Sequence, residues 1–407
     1  MPRGLKRILF FAEDVTLAHV ARPLALAGTL DPSRYAVTIA AGRRYERFIR
    51  AAGFEHRHIR SISSEEFLQA LAAGRPLYSL ATLTDYVRED LAVITEARPD
   101  VIVGDFRLSL SVSARRAGVP YVAVSNAYWS PYAASKFCIP SHPAVRFVGA
   151  RAANAGFKMI RPLVFAHHSL PMHYLRKRFG LPSLGFDLRK VYTDGDYTLY
   201  ADFPEMVPLP RLPPEMSSRH RYLGAVLWSA PVGLPDWWNA LRNDIPLVFV
   251  TMGSSGDSEL LPRIIAALSA LRCQVIVAVA GAKLDMLSAP NVHVADLLPA
   301  DAAARRAQLV ICNGGSPICH QALAHGVPLL GIARNLDQFL NMHFVAANGA
   351  GKLLRADSAT QQQITIAVRE LMSEHSYATK AARLSTALRS HDLGAGLREV
   401  LNLAVGS

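Results

Sequence analysis

Short runs of aliphatic and β-branched residues alternate along the chain with longer stretches whose apolar positions recur at helical spacing. That alternation predicts parallel sheets covered by helices. In the first half, KRILFFA, YAVTIAA, DVIVGD, YVAVSN and DYTLYAD read as strands, with helical segments such as ARPLALAGTL and residues 79–98 between them. Residues 108–117 read as another helix that stops at Gly118. Residues 135–180 break the alternation and are expected to form a helical excursion from the first domain. Residues 203–235 are rich in proline, as a linker is. A second series follows in PLVFVTMGS, QVIVAVAG, NVHVAD, LVICNGG and PLLGIA, and beyond Thr360 the pattern is helical. The expected fold is α/β: two Rossmann-like parallel-sheet domains facing each other across a cleft at the carboxyl edges of their strands. The expected boundaries are residues 1–228, residues 229–376, and a final helical segment, residues 377–407, crossing back onto the first domain.

Composition narrows the classes. A chain of 407 residues with 51% hydrophobic and 19% charged residues fits folded domains with substantial cores. The formal charge of +12 points to anionic company, whether nucleic acid, anionic lipid or a phosphorylated small molecule. The basic residues are scattered and no aromatic-interleaved basic module stands out, so no nucleic-acid partner is expected. Four cysteines at irregular spacing form neither a disulfide framework nor a metal finger. The first apolar run breaks at Glu13-Asp14, and no run reaches the roughly 18 residues of a membrane span. A cytoplasmic protein is expected, with peripheral contact at an anionic inner membrane surface left open.

Candidate chemistry concentrates in residues 310–328, VICNGGSPICHQALAHGVP. A strand meets Gly314-Gly315, Ser316 suits an N-cap, Pro317 the first helical position and Gly326 the residue after the helix. Backbone N–H groups at a helix start form an anion site, and glycines allow close approach. A tight connection without ligand is the alternative from this stretch alone. The sequence NGGSPICHQALAHGVPLLGIARNLDQFLNM, however, resembles the signature of the UDP-glycosyltransferase superfamily with the GT-B fold, in which a His-Gly-Gly turn precedes a helix, a short strand and a D-Q-x-x-N segment. NVHVADLLPADAAARRAQLVICNGG and PLVFVTMGSS resemble two further segments of that family's second domain.

The resemblance implies roles. Gly253, Ser254, Gly314, Gly315 and Ser316 would cradle a diphosphate, and Leu298 would pair with the base through its backbone. Asn313 stands where the family's histidine contacts a donor phosphate, and Gln321 where its glutamate grips the ribose. Both replacements exchange a charge-assisted hydrogen bond for a weaker neutral one, which leaves the donor's base and sugar open. Asp337 and Gln338 would bind hydroxyls of the donor sugar; a solvated helix start is their structural alternative. In the first domain Ala18-His19-Val20-Ala21-Arg22-Pro23 resembles the context of the family's catalytic histidine, and Arg98-Pro99-Asp100-Val101-Ile102-Val103-Gly104-Asp105 that of its aspartate. An imidazole suits the role of base toward an acceptor hydroxyl, with Asp105 fixing its tautomer; a structural histidine and a capping aspartate are the alternatives. Asn126 and Trp129 follow a strand end and are candidate acceptor contacts.

The activity the resemblance implies is inverting, metal-independent transfer of a sugar from a UDP- or dTDP-type donor to a hydroxyl of a small-molecule or lipid acceptor, with the nucleotide sugar as co-substrate and no cofactor or metal expected. A non-catalytic nucleotide-sugar-binding protein and a nucleotide-sugar epimerase of the same fold are the competing classes.

Overall fold

The computed structural model describes residues 5–253, 256–280 and 289–406. They form two compact units, one of residues 1–134, 159–226 and 391–407, the other of residues 135–158 and 227–390.

The first unit is built on a seven-stranded parallel sheet of β1 (Lys6–Ala12), β2 (Tyr35–Ala41), β3 (Glu55–His58), β4 (Val101–Asp105), β5 (Tyr121–Ser125), β6 (Tyr197–Tyr200) and β7 (His220–Tyr222). The strand order is β3-β2-β1-β4-β5-β6-β7. β4 and β5 are buried along their whole length because helices cover both faces. Helix α1 (Leu17–Ala27) turns Val20, Leu24 and Ala27 inward. The second unit carries six parallel strands: β8 (Leu247–Thr251), β9 (Gln274–Ala278), β10 (Val292–Ala295), β11 (Leu309–Cys312), β12 (Leu329–Ala333) and β13 (Gly351–Arg355). Their order is β10-β9-β8-β11-β12-β13. Both sheets therefore reverse their winding once, between β1 and β4 and between β8 and β11, the place where doubly wound sheets bind ligands.

The ten runs read as strands from their apolar content all lie in these sheets. Three strands escape that reading, β3 (EHRH), β7 (HRY) and β13 (GKLLR). All three are edge strands, which are covered less fully and so carry polar and charged residues. The proline-rich segment is correspondingly less of a linker than its composition suggests. Phe203, Met206 and Val207 in it are buried, β7 interrupts it, and the first unit extends to Val226. The helical excursion runs as Pro143–Arg178 across a kink at Gly149 (φ 79°), and residues 135–158 belong to the second unit rather than the first. Backbone carbonyls of Ile139 and Pro140 accept from the Arg355 guanidinium, which explains that attachment. The final helical stretch is two helices. His375–Arg389 stays with the second unit, with Ser385 Oγ and Arg389 donating to the Ala324 carbonyl (both 2.8 Å). Leu393–Gly406 belongs to the first unit, where Lys6 Nζ donates to Asn402 (2.9 Å).

A buried ionic knot ties the first unit together. Arg107, with a fully buried side chain, donates to Glu13 (2.9 Å), Asp90 (3.0 Å) and Glu89 (3.2 Å) and stacks over Tyr86. Burial pushes the Glu13 carboxyl up to about 7, with the Arg107 charge opposing that rise. The unfolded chain therefore releases this proton first as pH rises from about 4.5 to about 7, and the native state loses the associated stability over that window. We expect the denaturation midpoint to fall between pH 5 and pH 7.5 and Glu13→Gln to flatten that fall, measured by urea titration at both pH values.

Candidate active site

Adjacent pairing of β1 and β4 puts Ala12 opposite Asp105 at the carboxyl edge. The chain then leaves β1 through a short loop into α1, whose third residue is His19. Residues 86 positions apart in sequence thus meet, with His19 Nδ1 lying 2.8 Å from Asp105 Oδ1. If Nδ1–H donates to the carboxylate, Nε2 keeps its lone pair, the state a general base needs. The His19 side chain is 16% exposed and Asp105 is buried, so the dyad is desolvated on the aspartate side and open at the imidazole.

Two residues at this centre were not singled out from sequence. Arg22, one helical turn after His19, donates through Nη2 to Asp105 Oδ1 (3.0 Å). Its Nε stands 2.8 Å from Oδ2 without the alignment of a hydrogen bond. Nη1 donates to Asn126 Oδ1 (2.9 Å), and Asn126 Nδ2 donates to Asp202 (3.0 Å). Asn126, read as an acceptor contact, is buried and its amide is committed to orienting Arg22. Phe106, directly after Asp105, has φ 60°, a strained conformation for a bulky residue. That turn brings its ring parallel to His19 with centroids 4.5 Å apart. Tyr192 lies 5.6 Å from Phe106, and Trp129 packs edge-on to Tyr192 at 5.0 Å. An aromatic wall therefore extends from the imidazole to Trp129, suited to an apolar or aromatic acceptor.

The second unit repeats the arrangement between β8 and β11, where Thr251 pairs with Cys312. Gly253 (φ 60°) and Gly314 (φ 85°) follow these strands in backbone conformations that side chains rarely adopt. A Cβ at Gly314 would also lie 2.5 Å from Met342 Cγ. Ser254 falls outside the described residues. The helix after the turn spans Ser316–Ala324 with Gly315 as its N-cap and no side-chain cap. Ser316 is thus the first helical residue rather than the cap, and in the turn before it Asn313 Oδ1 accepts from Gly315 N–H (3.0 Å). Asn341 Nδ2 holds the Gly314 carbonyl (2.8 Å). Gln321 is buried. Its Nε2 donates to the Trp228 carbonyl (2.8 Å), leaving a buried Oε1 with no protein partner. Leu298 is buried in the loop after β10. Gln338 closes a capping box at the start of Leu336–Ala347, accepting from Asn335 N–H (3.2 Å) and Arg334 N–H (2.8 Å). Its carbonyl oxygen serves the helix start, while Asp337 beside it is half-buried.

Known proteins match along this frame. Residues 262–395 match the family described as erythromycin biosynthesis protein CIII-like, C-terminal domain. A PGL/p-HBAD biosynthesis glycosyltransferase of Mycobacterium tuberculosis is 47% identical over 382 residues, covering 94% of this chain and 88% of the relative. A PGL/p-HBAD biosynthesis rhamnosyltransferase of Mycobacterium bovis is also 47% identical, covering 96% and 86%. The structure of spinosyn rhamnosyltransferase SpnG complexed with thymidine diphosphate superposes with a TM-score of 0.68 at 21% identity, covering 98% of this chain and all of the other. With its two reversing parallel sheets and these relatives, the chain belongs to the GT-B glycosyltransferases of the UDP-glycosyltransferase-like superfamily.

Proposed function

We propose that the protein is an inverting, metal-independent glycosyltransferase that moves a hexose from a UDP- or dTDP-type donor to a hydroxyl of an apolar small-molecule or lipid acceptor. The observation that carries this reading is the His19–Asp105 contact of 2.8 Å at the reversal of the first sheet. In the proposed step His19 Nε2 takes the acceptor proton as the acceptor oxygen bonds to the anomeric carbon. The bond from that carbon to the diphosphate breaks on the opposite side, which inverts the configuration. The imidazolium that forms is stabilised by Asp105. The departing diphosphate carries the negative charge, which the uncapped helix start at Ser316 and the Gly314-Gly315 turn are suited to accept. Gln321 Oε1 supplies a buried acceptor for a ribose hydroxyl in place of a carboxylate.

A deoxyhexose donor is supported by the rhamnosyltransferase name of one relative, and a thymidine nucleotide by the bound ligand of SpnG. The acceptor class is supported by the Phe106–Tyr192–Trp129 wall. Met159, Ile160 and Leu163 are 82%, 51% and 73% exposed on a helix that also carries Arg161, which supports contact with an anionic membrane during delivery of a lipid acceptor. No described helix is long and apolar enough to cross a membrane.

The test is a matrix of UDP- and dTDP-linked hexoses and rhamnose against phenolic and lipid alcohols, with the anomeric configuration of the product read by NMR and the reaction repeated in EDTA. Retention of configuration, or activity abolished by EDTA and restored by a divalent metal, overturns the mechanism. Asp337→Ala is expected to reduce the preference among nucleotide sugars sharing one base by about 10-fold, the loss of one charge-assisted hydrogen bond. Competition assays with donor pairs measure that preference.

A further inference from the structure

At the far edge of the first sheet, remote in sequence from the dyad, three side chains converge. His56 and His58 are two residues apart on β3, so both project from the same face of the strand. Glu46 opens helix α2 (Glu46–Ala51) and reaches toward them. Glu46 Oε1 lies 3.7 Å from His56 Nδ1 and 3.6 Å from His58 Nε2, and the three atoms are all within 4.8 Å of one another.

Those separations are too long for hydrogen bonds. They are close to the spacing between donors in a tetrahedral zinc site, about 3.3–3.5 Å for bonds of about 2.0–2.2 Å. The hydrogen-bonding state of His56 sharpens the point. Its Nε2 lies 3.0 Å from the Ala41 carbonyl and can bond to it only as a donor, which leaves a lone pair on Nδ1. That Nδ1 is buried and has no hydrogen-bond partner, and the side chain is only 6% exposed. The Glu46 oxygen it faces is likewise buried without a hydrogen bond; Arg50 Nη2 approaches that oxygen as an ion pair out of hydrogen-bonding alignment, and its side chain is 73% exposed and able to swing away. Two lone pairs thus face each other with no proton within bonding distance of both. A backbone carbonyl fixing the far nitrogen of a histidine is also the usual support of a metal ligand.

We propose that Glu46, His56 and His58 form a divalent transition-metal site of the zinc class, with water as the fourth ligand, clipping helix α2 to edge strand β3. The site lies apart from the proposed catalytic dyad and takes no part in sugar transfer. In sequence the His-x-His pair gives no such signal, because the third ligand comes from a separate element.

The test is titration of the tag-free, EDTA-treated full-length protein with Co²⁺, followed by visible absorption, then displacement by Zn²⁺. The expected result is one equivalent bound with the intense ligand-field bands of a four-coordinate centre. His58→Ala, at a half-exposed position where folding is safe, is expected to weaken binding at least about 10-fold, the typical effect of losing one ligand or its support. Zn²⁺ should raise the melting temperature of the parent protein and leave that of His56→Ala unchanged. Weak non-saturating binding, a six-coordinate spectrum, or binding unaltered in His58→Ala overturns the site.

Discussion

His19→Ala is expected to lower turnover by about 10²–10⁴-fold while leaving the donor dissociation constant within about twofold. His19 is held from one side by Asp105 at 2.8 Å and from one face by Phe106 at 4.5 Å, so only its Nε2 edge is available to an acceptor. Without it the acceptor hydroxyl must ionise unaided, and binding of the donor, whose proposed contacts lie in the second unit, is left intact. Single-turnover kinetics with saturating acceptor, paired with donor titration calorimetry, separate the two effects. Turnover within a few-fold of the parent overturns the base assignment. Arg22 is a positioning residue in this scheme. It neutralises part of the Asp105 charge and ties it to Asn126 and Asp202, so the carboxylate is held in place beside the imidazole.

Arg107→Met is expected to destabilise the first unit by about 3–5 kcal/mol, the cost of removing one partner from a buried ion cluster. Arg107 is the only cation hydrogen-bonded to Glu13 and Asp90 among the described residues, and both carboxylates are buried. Asp90 also accepts from Ser109 (2.6 Å) and Ser113 (3.0 Å), which cannot replace a charge. Methionine fills much of the volume, so the loss isolates the electrostatics from the cavity. Arg107→Lys should recover part of the stability, because an ammonium restores the charge but not the planar fork. The readout is the midpoint of chemical denaturation, and a parent-like midpoint for Arg107→Met removes the knot from the account. The loop carrying Glu13 leads into α1 and Arg107 follows Phe106, so the same variant is expected to lose activity before it unfolds.

What could be read from the sequence follows a physical pattern. Central strands such as β4 and β11 announced themselves because burial on both faces demands continuous apolar residues. The edge strands β3, β7 and β13 did not, since one side meets no neighbouring strand and polar residues are tolerated there. The family resemblance singled out His19, Asp105 and the Gly314-Gly315 turn, whose paired glycines at a strand–helix junction also marked it as an anion site. It could not show that Asn126 is spent on Arg22, or that the carbonyl of Gln338 caps its own helix. Those assignments depend on which polar groups fold into reach of one another.

The sequence by itself therefore determined the class of fold, the two sheets and the turns at their reversals, since these follow from local apolar periodicity and from glycine and proline chemistry. Only the tertiary structure decided the partners. Strand order joined His19 to Asp105 across 86 residues, the left-handed turn at Phe106 set its ring against the imidazole, and an edge strand met a helix to gather Glu46, His56 and His58. Periodicity is a property of neighbours along the chain. The chemistry of a side chain is set by neighbours in space, and those exist only once the sheet has closed around it.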